Sequence, residues 1–164
     1  MQQLTRGIAA MHFLETKIPP PVVSLLFALI IWIISSVTSV STMLSDQQGL
    51  VAAITLLVLG FGFAISGGLS FRAAATTVNP LKPETASSLV TSGVFRYSRN
   101  PMYVGLAIIL LAWTIYLAAP LSLIGVLGFI AYIQRFQIVP EERAMYKLFG
   151  DEFGVYKSRV RRWL

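Results

Sequence analysis

Three long runs of this sequence contain no charged residue, and they constrain the fold more than any other feature. The runs extend over 18–45, 47–71 and 101–134. Across the chain, 55% of the residues are hydrophobic and 12% are charged, which is about half the charged fraction of a soluble domain. We therefore expect lipid to surround the chain along most of its length.

The third charge-free run is too long for one membrane helix. As a single helix it would measure about 51 Å, whereas the hydrocarbon core of a bilayer is about 30 Å thick. Pro120 lies near the middle of the run, where it would break a helix. We therefore predict an all-α integral membrane protein with four transmembrane helices, the last two forming a hairpin. The predicted spans are 20–41, 48–70, 101–118 and 121–138.

The basic residues predict the orientation of these spans. The first loop (41–48) and the third loop, around Pro120, contain no Lys or Arg. All the basic residues lie in the remaining segments: Arg6, Lys17, Arg72, Lys82, Arg96, Arg99, Arg135, Arg143, Lys147, Lys157, Arg159, Arg161 and Arg162. Because cytoplasmic segments are enriched in Lys and Arg, we predict that both termini are cytoplasmic. The net charge of +6 is then a topology signal, and no nucleic-acid partner is predicted.

Two cytoplasmic segments complete the predicted single membrane domain of residues 1–164. The 72–100 loop is too long for a simple turn between helices, and such loops are commonly functional. The C-terminal segment, 140–164, has apolar residues at helical spacing and is predicted to form amphipathic helices with a break at Gly150. These helices could lie on the membrane surface, pack over the 72–100 loop, or do both.

The stretch RYSRNPMYVG (96–105) combines a helix start with cationic side chains. Asn100 is a good N-cap residue and Pro101 a good first helical residue, so the third span should begin here. On structural grounds alone, this stretch is a capped helix with arginines that reach lipid phosphates. The free N–H groups of a helix start beside Arg99 could also bind a carboxylate or a phosphate. Gly105 would allow another group close to the helix backbone.

Glu141 and Glu142 follow Pro140 and form the second polar cluster. They could simply stabilise the start of a helix through its dipole. Because adjacent helical residues point about 100° apart, we expect at most one of the two carboxylates to face a given pocket. That carboxylate would pair with a cation such as Arg99, with a ligand ammonium or with ribose hydroxyls.

Together, LVTSGVFRYSRNPMYVG (89–105) and PEERAMYKLFGDEFGVYKSRVRRW (140–163) resemble the isoprenylcysteine carboxyl methyltransferase family, whose superfamily includes the phospholipid N-methyltransferases. The family signature is Arg-His-Pro-x-Tyr-x-Gly at the start of a membrane helix, followed by Glu-Glu, Phe-Gly and spaced tyrosines. The resemblance covers roughly residues 76–163. It implies a membrane methyltransferase that uses S-adenosylmethionine, with a lipid or lipid-linked acceptor entering from the bilayer.

The resemblance also implies roles for individual residues. Arg99 and Glu142 would be catalytic, while Phe149 and Gly150 match the Phe-Gly pair. The cofactor-binding residues would be Asn100, Pro101, Tyr103, Gly105, Glu141, Glu142 and Tyr156. One position departs from the signature, because Asn100 stands where the family has histidine. Asn can donate a hydrogen bond to a cofactor carboxylate but cannot exchange protons near neutral pH.

Several alternatives stay open at this point. O-methylation of an isoprenylcysteine-like carboxylate is the first hypothesis, and N-methylation of a phospholipid amine is the second. A membrane reductase with a nicotinamide cofactor would share a similar C-terminal architecture. A small transporter or a non-catalytic membrane protein is a further possibility, although coupled transport usually needs an ionisable residue within the bilayer. No metal site is predicted, since the chain has one histidine, His12, and no cysteine. The predicted location is the inner membrane of a prokaryote.

Overall fold

The computed structural model describes residues 15–38, 45–75 and 81–164, and these residues form helices with no strand. The prediction of an all-α membrane protein is confirmed. Arg6, His12 and the tip of the first loop lie outside the described residues. The helices are α1 (Pro20–Val37), α2 (Asp46–Ala73), α3 (Pro101–Tyr116), α4 (Leu123–Ile133) and α5 (Val139–Arg159), with a π-helical turn at Gln134–Ile138 between α4 and α5. Short 3₁₀ turns occur at Pro83–Thr85, Gly93–Arg96 and Pro120–Ser122.

Local sequence signals account for where these helices begin. The Ser45 side chain accepts a hydrogen bond from the Gln48 N–H, and the Gln48 side chain accepts one from the Ser45 N–H. This capping box satisfies two backbone donors at the start of α2. Pro101 is the first residue of α3, as predicted. Pro120 begins the turn that separates α3 from α4, so the predicted hairpin is confirmed.

Three helices in the described part of the chain are long and apolar enough to cross a bilayer. They are α1, α2 and the continuous helical stretch Pro120–Arg159, which contains α4 and α5. Helix α3 is equally apolar but has 16 residues, or about 24 Å, which is shorter than a hydrocarbon core of about 30 Å. Four complete spans therefore stay a prediction.

The order of the helices in space differs from their order in the chain. Helix α3 packs against α2 on one side and against α1 and α4 on the other. The buried core lies where α1, α3 and α4 meet and includes Ile31, Leu110, Phe129 and Ile133. The large side chains exposed on α1 and α2, such as Leu25 and Val58, would face lipid. Helix α3 is thus held from both sides, which fixes the position of its first turn.

Helices α2 and α3 approach each other closely through two glycines. A Cβ atom on Gly105 would lie 2.5 Å from the Gly60 carbonyl oxygen and 2.9 Å from the Ala64 nitrogen. Small residues at such crossings are typical of membrane helices, because backbone contact replaces the hydrophobic driving force that lipid removes. The backbone of α2 therefore already occupies the space beside Gly105.

Replacing Gly105 by Ala is expected to destabilise the protein by about 1–3 kcal/mol, because the added methyl group must displace backbone atoms. Gly62 is the matched control, since it is exposed and nothing lies within 4 Å of an added Cβ atom there. Gly62→Ala should leave stability unchanged or raise it by up to about 1 kcal/mol through helix propensity. Equilibrium unfolding of the purified variants in detergent measures both effects. Equal stability of the two variants would contradict this account.

The junction between α4 and α5 shows how the chain accommodates Pro140. Because Pro140 follows an apolar helix, the sequence predicts a new helix start there, but the structure has no interruption. The Val139 N–H instead donates to the Gln134 carbonyl, five residues back. A π-helical turn of this kind lies immediately before Pro140, which cannot donate a backbone hydrogen bond. The membrane helix therefore continues directly into α5, although its apolar part ends near Ile138.

The segment before α1 lies against the junction between α4 and α5. The Glu15 carboxylate lies 2.8 Å from the Arg135 guanidinium and 2.6 Å from that of Arg143. The Thr16 N–H also donates to the Phe136 carbonyl oxygen at 3.0 Å. The start of α1 and the end of α4 are therefore at the same end of the helix bundle.

Candidate active site

A cavity of about 120 Å³ lies at the charged end of the bundle. Its walls come from the end of α2, the 81–100 loop, the first turn of α3 and one face of α5. Both motifs that the sequence analysis singled out, one at the start of α3 and one in α5, contribute side chains to it. The fold thus brings together two segments that are about 40 residues apart in the chain.

Of the partners that the sequence left open for a glutamate of the second motif, the structure shows Arg99, which pairs with Glu142. The Arg99 Nη2 atom lies 2.7 Å from Glu142 Oε1, and the two side chains are only 9% and 12% exposed. Arg162 donates from Nε to Oε1 and from Nη2 to Oε2 of the same carboxylate, at 3.0 and 2.7 Å. Burial alone would raise the pKa of Glu142, but the hydrogen bonds from Arg162 and Arg99 lower it below its usual value. Glu142 is therefore charged at neutral pH.

Arg99 has one donor, its Nε, that no atom of the described residues satisfies. Its Nη1 donates to the Lys157 and Val160 carbonyls, at 3.1 and 2.6 Å, and its Nη2 donates to Glu142. Its Nε is buried and has no partner among the described residues. A buried N–H without an acceptor is costly, so this atom marks a place where a bound ligand could supply one.

Glu141 belongs to a second, more deeply buried cluster. Its carboxylate accepts a hydrogen bond from the Tyr103 hydroxyl, and the Gln137 side chain hydrogen-bonds to both residues. Burial raises the pKa of Glu141 to about 8, although the hydrogen bonds from Tyr103 and Gln137 oppose this rise. The pKa values of the two adjacent glutamates are therefore shifted in opposite directions, because Glu142 has two arginine partners and Glu141 has neutral ones.

The expectation that only one glutamate could face a pocket is wrong, since Glu141 and Glu142 both line this one. Their side chains do diverge around the helix as expected. Glu141 contacts Tyr103 of α3 and Glu142 contacts Arg99, and both of these partners also line the cavity. An angle of about 100° between neighbours is small enough for both to reach the same cavity.

Asn100 occupies the predicted N-cap position of α3, but its side chain makes no capping hydrogen bond. Its Nδ2 atom donates instead to the Arg162 carbonyl oxygen, at 2.8 Å. The predicted capping hydrogen bond is therefore wrong, because a tertiary contact with the C-terminal residues takes its place. Asn100 still lines the cavity, together with Pro101.

The other predicted site residues divide into two groups. Tyr103 and Tyr156 line the cavity, and the Tyr156 hydroxyl donates to the Phe95 carbonyl oxygen at 2.8 Å. This contact confirms that the C-terminal segment packs over the 81–100 loop. Gly105 is not among the residues that line the cavity. Its contact with α2 accounts for a glycine at this position, and its role in cofactor binding stays a prediction.

The predicted break in the C-terminal segment is confirmed at Gly150. Its φ of 49° and ψ of −124° are non-helical and interrupt α5. Glycine adopts a positive φ without the strain that a Cβ atom would introduce. Beyond this kink, Phe153 and Tyr156 are buried and line the cavity. Phe149, which precedes the kink, is not among the lining residues.

Two residues in the site's hydrogen-bond networks were not predicted from the sequence. Gln137 is only 2% exposed and lies one helical turn before Glu141. Gln137 is an amide at the end of an apolar run, and this pattern could have indicated a buried polar cluster. Arg162 gave no such signal, because it is one of several basic residues near the C-terminus.

Comparison with known proteins places the chain in a family. The sequence profile described as phospholipid methyltransferase matches residues 49–152, which include most of α2, all of α3 and α4, and both glutamates. The chain is also 51% identical over 63 residues to an uncharacterized protein of Haemophilus influenzae, a match that covers 38% of this chain and all of that protein. No solved structure matches. The chain therefore belongs to the phospholipid methyltransferase family, which is part of the isoprenylcysteine carboxyl methyltransferase-like superfamily of membrane methyltransferases.

Proposed function

We propose that this protein transfers a methyl group from S-adenosylmethionine to a lipid or lipid-linked acceptor at the cytoplasmic face of the membrane. The observation that carries this proposal is the cavity in which both motifs meet, with Arg99 in its wall and the Arg99 Nε without an acceptor among the described residues. S-adenosylmethionine has a carboxylate that can accept from such a donor, hydroxyls that can donate to carboxylates, and a positive sulfonium. The family membership supports methyl transfer as the reaction.

The chemistry of the side chains that line the cavity suits this cofactor. Arg99 Nε and the Asn100 side chain could meet its carboxylate, while Glu141 and Glu142 could accept from its ammonium or its ribose hydroxyls. Apolar side chains in the same cavity, Phe71, Met145 and Phe153 among them, could contact its adenine. When bound, the cofactor would supply an electrophilic methyl group. The protein would supply alignment, which accounts for much of the rate of such displacement reactions.

The cavity also bears on the acceptor. A carboxylate acceptor is already ionised at neutral pH and needs no base, whereas an amine acceptor must first lose a proton. Glu141 lines the cavity beside Glu142 and has no cationic partner among the described residues that could hold it ionised. It is therefore suited to take a proton from an ammonium group. This observation favours N-methylation of a phospholipid amine over O-methylation of an isoprenylcysteine-like carboxylate.

The proposed orientation has both termini in the cytoplasm of a prokaryotic cell, with the protein in the inner membrane. The contacts of Glu15 with Arg135 and Arg143 support it, because they bring the start of α1 to the end of α4. The Asn100 contact with Arg162 likewise brings the start of α3 to the C-terminus. The basic segments of the described chain thus lie at one end of the bundle, as a cytoplasmic face would require.

Purified protein in lipid nanodiscs, supplied with radiolabelled S-adenosylmethionine, would test the function. Calorimetry with the cofactor and its demethylated product measures binding, and extraction of labelled lipid measures transfer. We expect label in phosphatidylethanolamine when that lipid is present and much less with a farnesylcysteine acceptor. Label in farnesylcysteine alone would reverse the choice of acceptor. Absence of cofactor binding would refute the proposed function and favour a non-catalytic protein.

A further inference from the structure

The last residues of the chain form a strap across the start of α3. The strap is defined as residues 160–164, where α5 has ended and Val160 adopts an extended conformation. Its Val160 carbonyl accepts from Arg99 Nη1 at 2.6 Å, and the Trp163 indole donates to the Gln134 side chain at 3.1 Å. The strap therefore contacts both the first motif and the π-helical turn.

Arg162 is the residue of the strap that contacts both motifs. Its guanidinium makes two hydrogen bonds to the Glu142 carboxylate, a bidentate geometry that fixes orientation as well as distance. Its carbonyl oxygen accepts from Asn100 Nδ2 at 2.8 Å and from the buried Ser98 hydroxyl at 3.4 Å. One residue thus holds α5 with its side chain and the start of α3 with its backbone.

We propose that Arg162 is a positioning residue of the active site, which acts through Glu142 and Asn100 to hold Arg99 in place for the cofactor. Arg162 is not among the residues that line the cavity, so its effect would be indirect. The assignment to catalysis rests on the proposed function of the cavity. We call the contacts of Arg162 with Glu142 and with Asn100 the clamp. That the clamp holds the two motifs together is a separate claim, which can be tested without cofactor.

The surroundings of Glu142 explain why Arg99 alone cannot hold the Glu142 carboxylate in a fixed orientation. Arg99 reaches only Oε1 of Glu142, whereas Oε2 has Arg162 at 2.7 Å and Lys157 at the longer distance of 3.9 Å. Without the Arg162 guanidinium, the carboxylate is free to rotate toward Lys157. Arg99 would then lose the fixed partner that aims its guanidinium beside the cavity.

The test compares Arg162→Met, Arg162→Lys and a control, Lys147→Met. Met removes the two hydrogen bonds and keeps the backbone carbonyl, while Lys can restore one bond but not the bidentate geometry. Lys147 is exposed on α5, so its replacement removes one positive charge away from the cavity. We expect the affinity for S-adenosylmethionine to fall about tenfold or more in the Met variant, to recover in part in the Lys variant, and to be unchanged in the control.

The pH dependence of cofactor binding separates positioning from a general loss of stability. The charged groups that face Glu142 are Arg99, Arg162, Lys157 and the neighbouring Glu141. Since Arg162 favours the ionised carboxylate, its loss should raise the pKa of Glu142 and move the acid-side loss of binding to higher pH. A variant that is merely less stable would unfold at lower temperature without this shift. Unchanged affinity and an unchanged acid limb in Arg162→Met would overturn the proposal.

Hydrogen exchange without cofactor distinguishes failure of this proposal from failure of the proposed function. If the clamp exists, Arg162→Met should speed amide exchange around 98–103 and 139–146, and Lys147→Met should not. If the variants give this result and the wild-type protein binds no cofactor, the clamp is supported and the proposed function is refuted. Equal exchange in both variants would refute the clamp even if the wild type binds the cofactor.

Discussion

Replacing Glu142 by Gln is expected to lower the affinity for S-adenosylmethionine by two orders of magnitude or more. The substitution keeps the size of the side chain but removes the charge that Arg99 and Arg162 share. Because the Arg99 side chain is 9% exposed, it would be left as a buried cation without its carboxylate partner, which typically costs about 3–5 kcal/mol of folding stability. Arg99 would then no longer be held in position for the cofactor. Calorimetric titration of the purified variant measures the loss.

Glu152→Gln is the matched control for this substitution. Glu152 lies in the same helix as Glu142 but is exposed, so its replacement should leave cofactor affinity unchanged. Arg99→Met should weaken binding to a similar extent as Glu142→Gln, because it removes the other half of the same pair. Wild-type affinity in Glu142→Gln would show that this pair does not form the cofactor site.

Replacing Glu141 by Gln should reduce turnover of an amine acceptor by about 10²–10⁴-fold, the usual contribution of a general base. Cofactor affinity should change much less, because Glu142 and Arg99 are intact. In the wild type, the base is the deprotonated form of Glu141, whose pKa is about 8 in the cofactor-free structure. The rate should therefore rise with pH toward this value, and the bound sulfonium should shift the limb to lower pH.

Tyr103→Phe provides a second measurement of the same group. The Tyr103 hydroxyl donates to Glu141 and thereby lowers the pKa of the carboxyl. Its removal should move the rising limb of the rate profile to higher pH, while Glu141→Gln should abolish that limb. If Glu141→Gln keeps wild-type turnover at every pH, Glu141 is not the base, and a carboxylate acceptor becomes the better hypothesis.

The sequence was most informative where lipid excludes charge. The charge-free runs and Pro120 were sufficient to predict the helices and the turn between α3 and α4, because burying a charge in hydrocarbon is costly. Asn100 and Pro101 likewise predicted the start of α3. These are local or solvent-driven effects, so the amino-acid pattern alone contains them.

The features that the sequence did not predict depend on tertiary contacts. The Asn100 side chain has the chemistry for a helix cap, but the Arg162 carbonyl is within reach only once the strap has folded back over α3. Pro140 indicates a helix start when read alone, and only the π-helical turn before it allows the helix to continue. The meeting of both glutamates in one cavity depends on where Tyr103 and Arg99 lie, and the spacing of residues within α5 does not determine those positions.

The π-helical turn at Gln134–Ile138 sets the orientation of α5 relative to α4, and a change of one residue in its length would alter that orientation. A π-helical turn contains one residue more than an α-helical turn, and each residue rotates the following helix by about 100°. Loss of one residue from this turn would leave the apolar part of the helix in place and swing α5 around its axis. Glu142 would then point away from Arg99, and the strap could no longer reach α3. A single-residue insertion or deletion at this junction is therefore expected to separate Glu142 from Arg99 and disrupt the site.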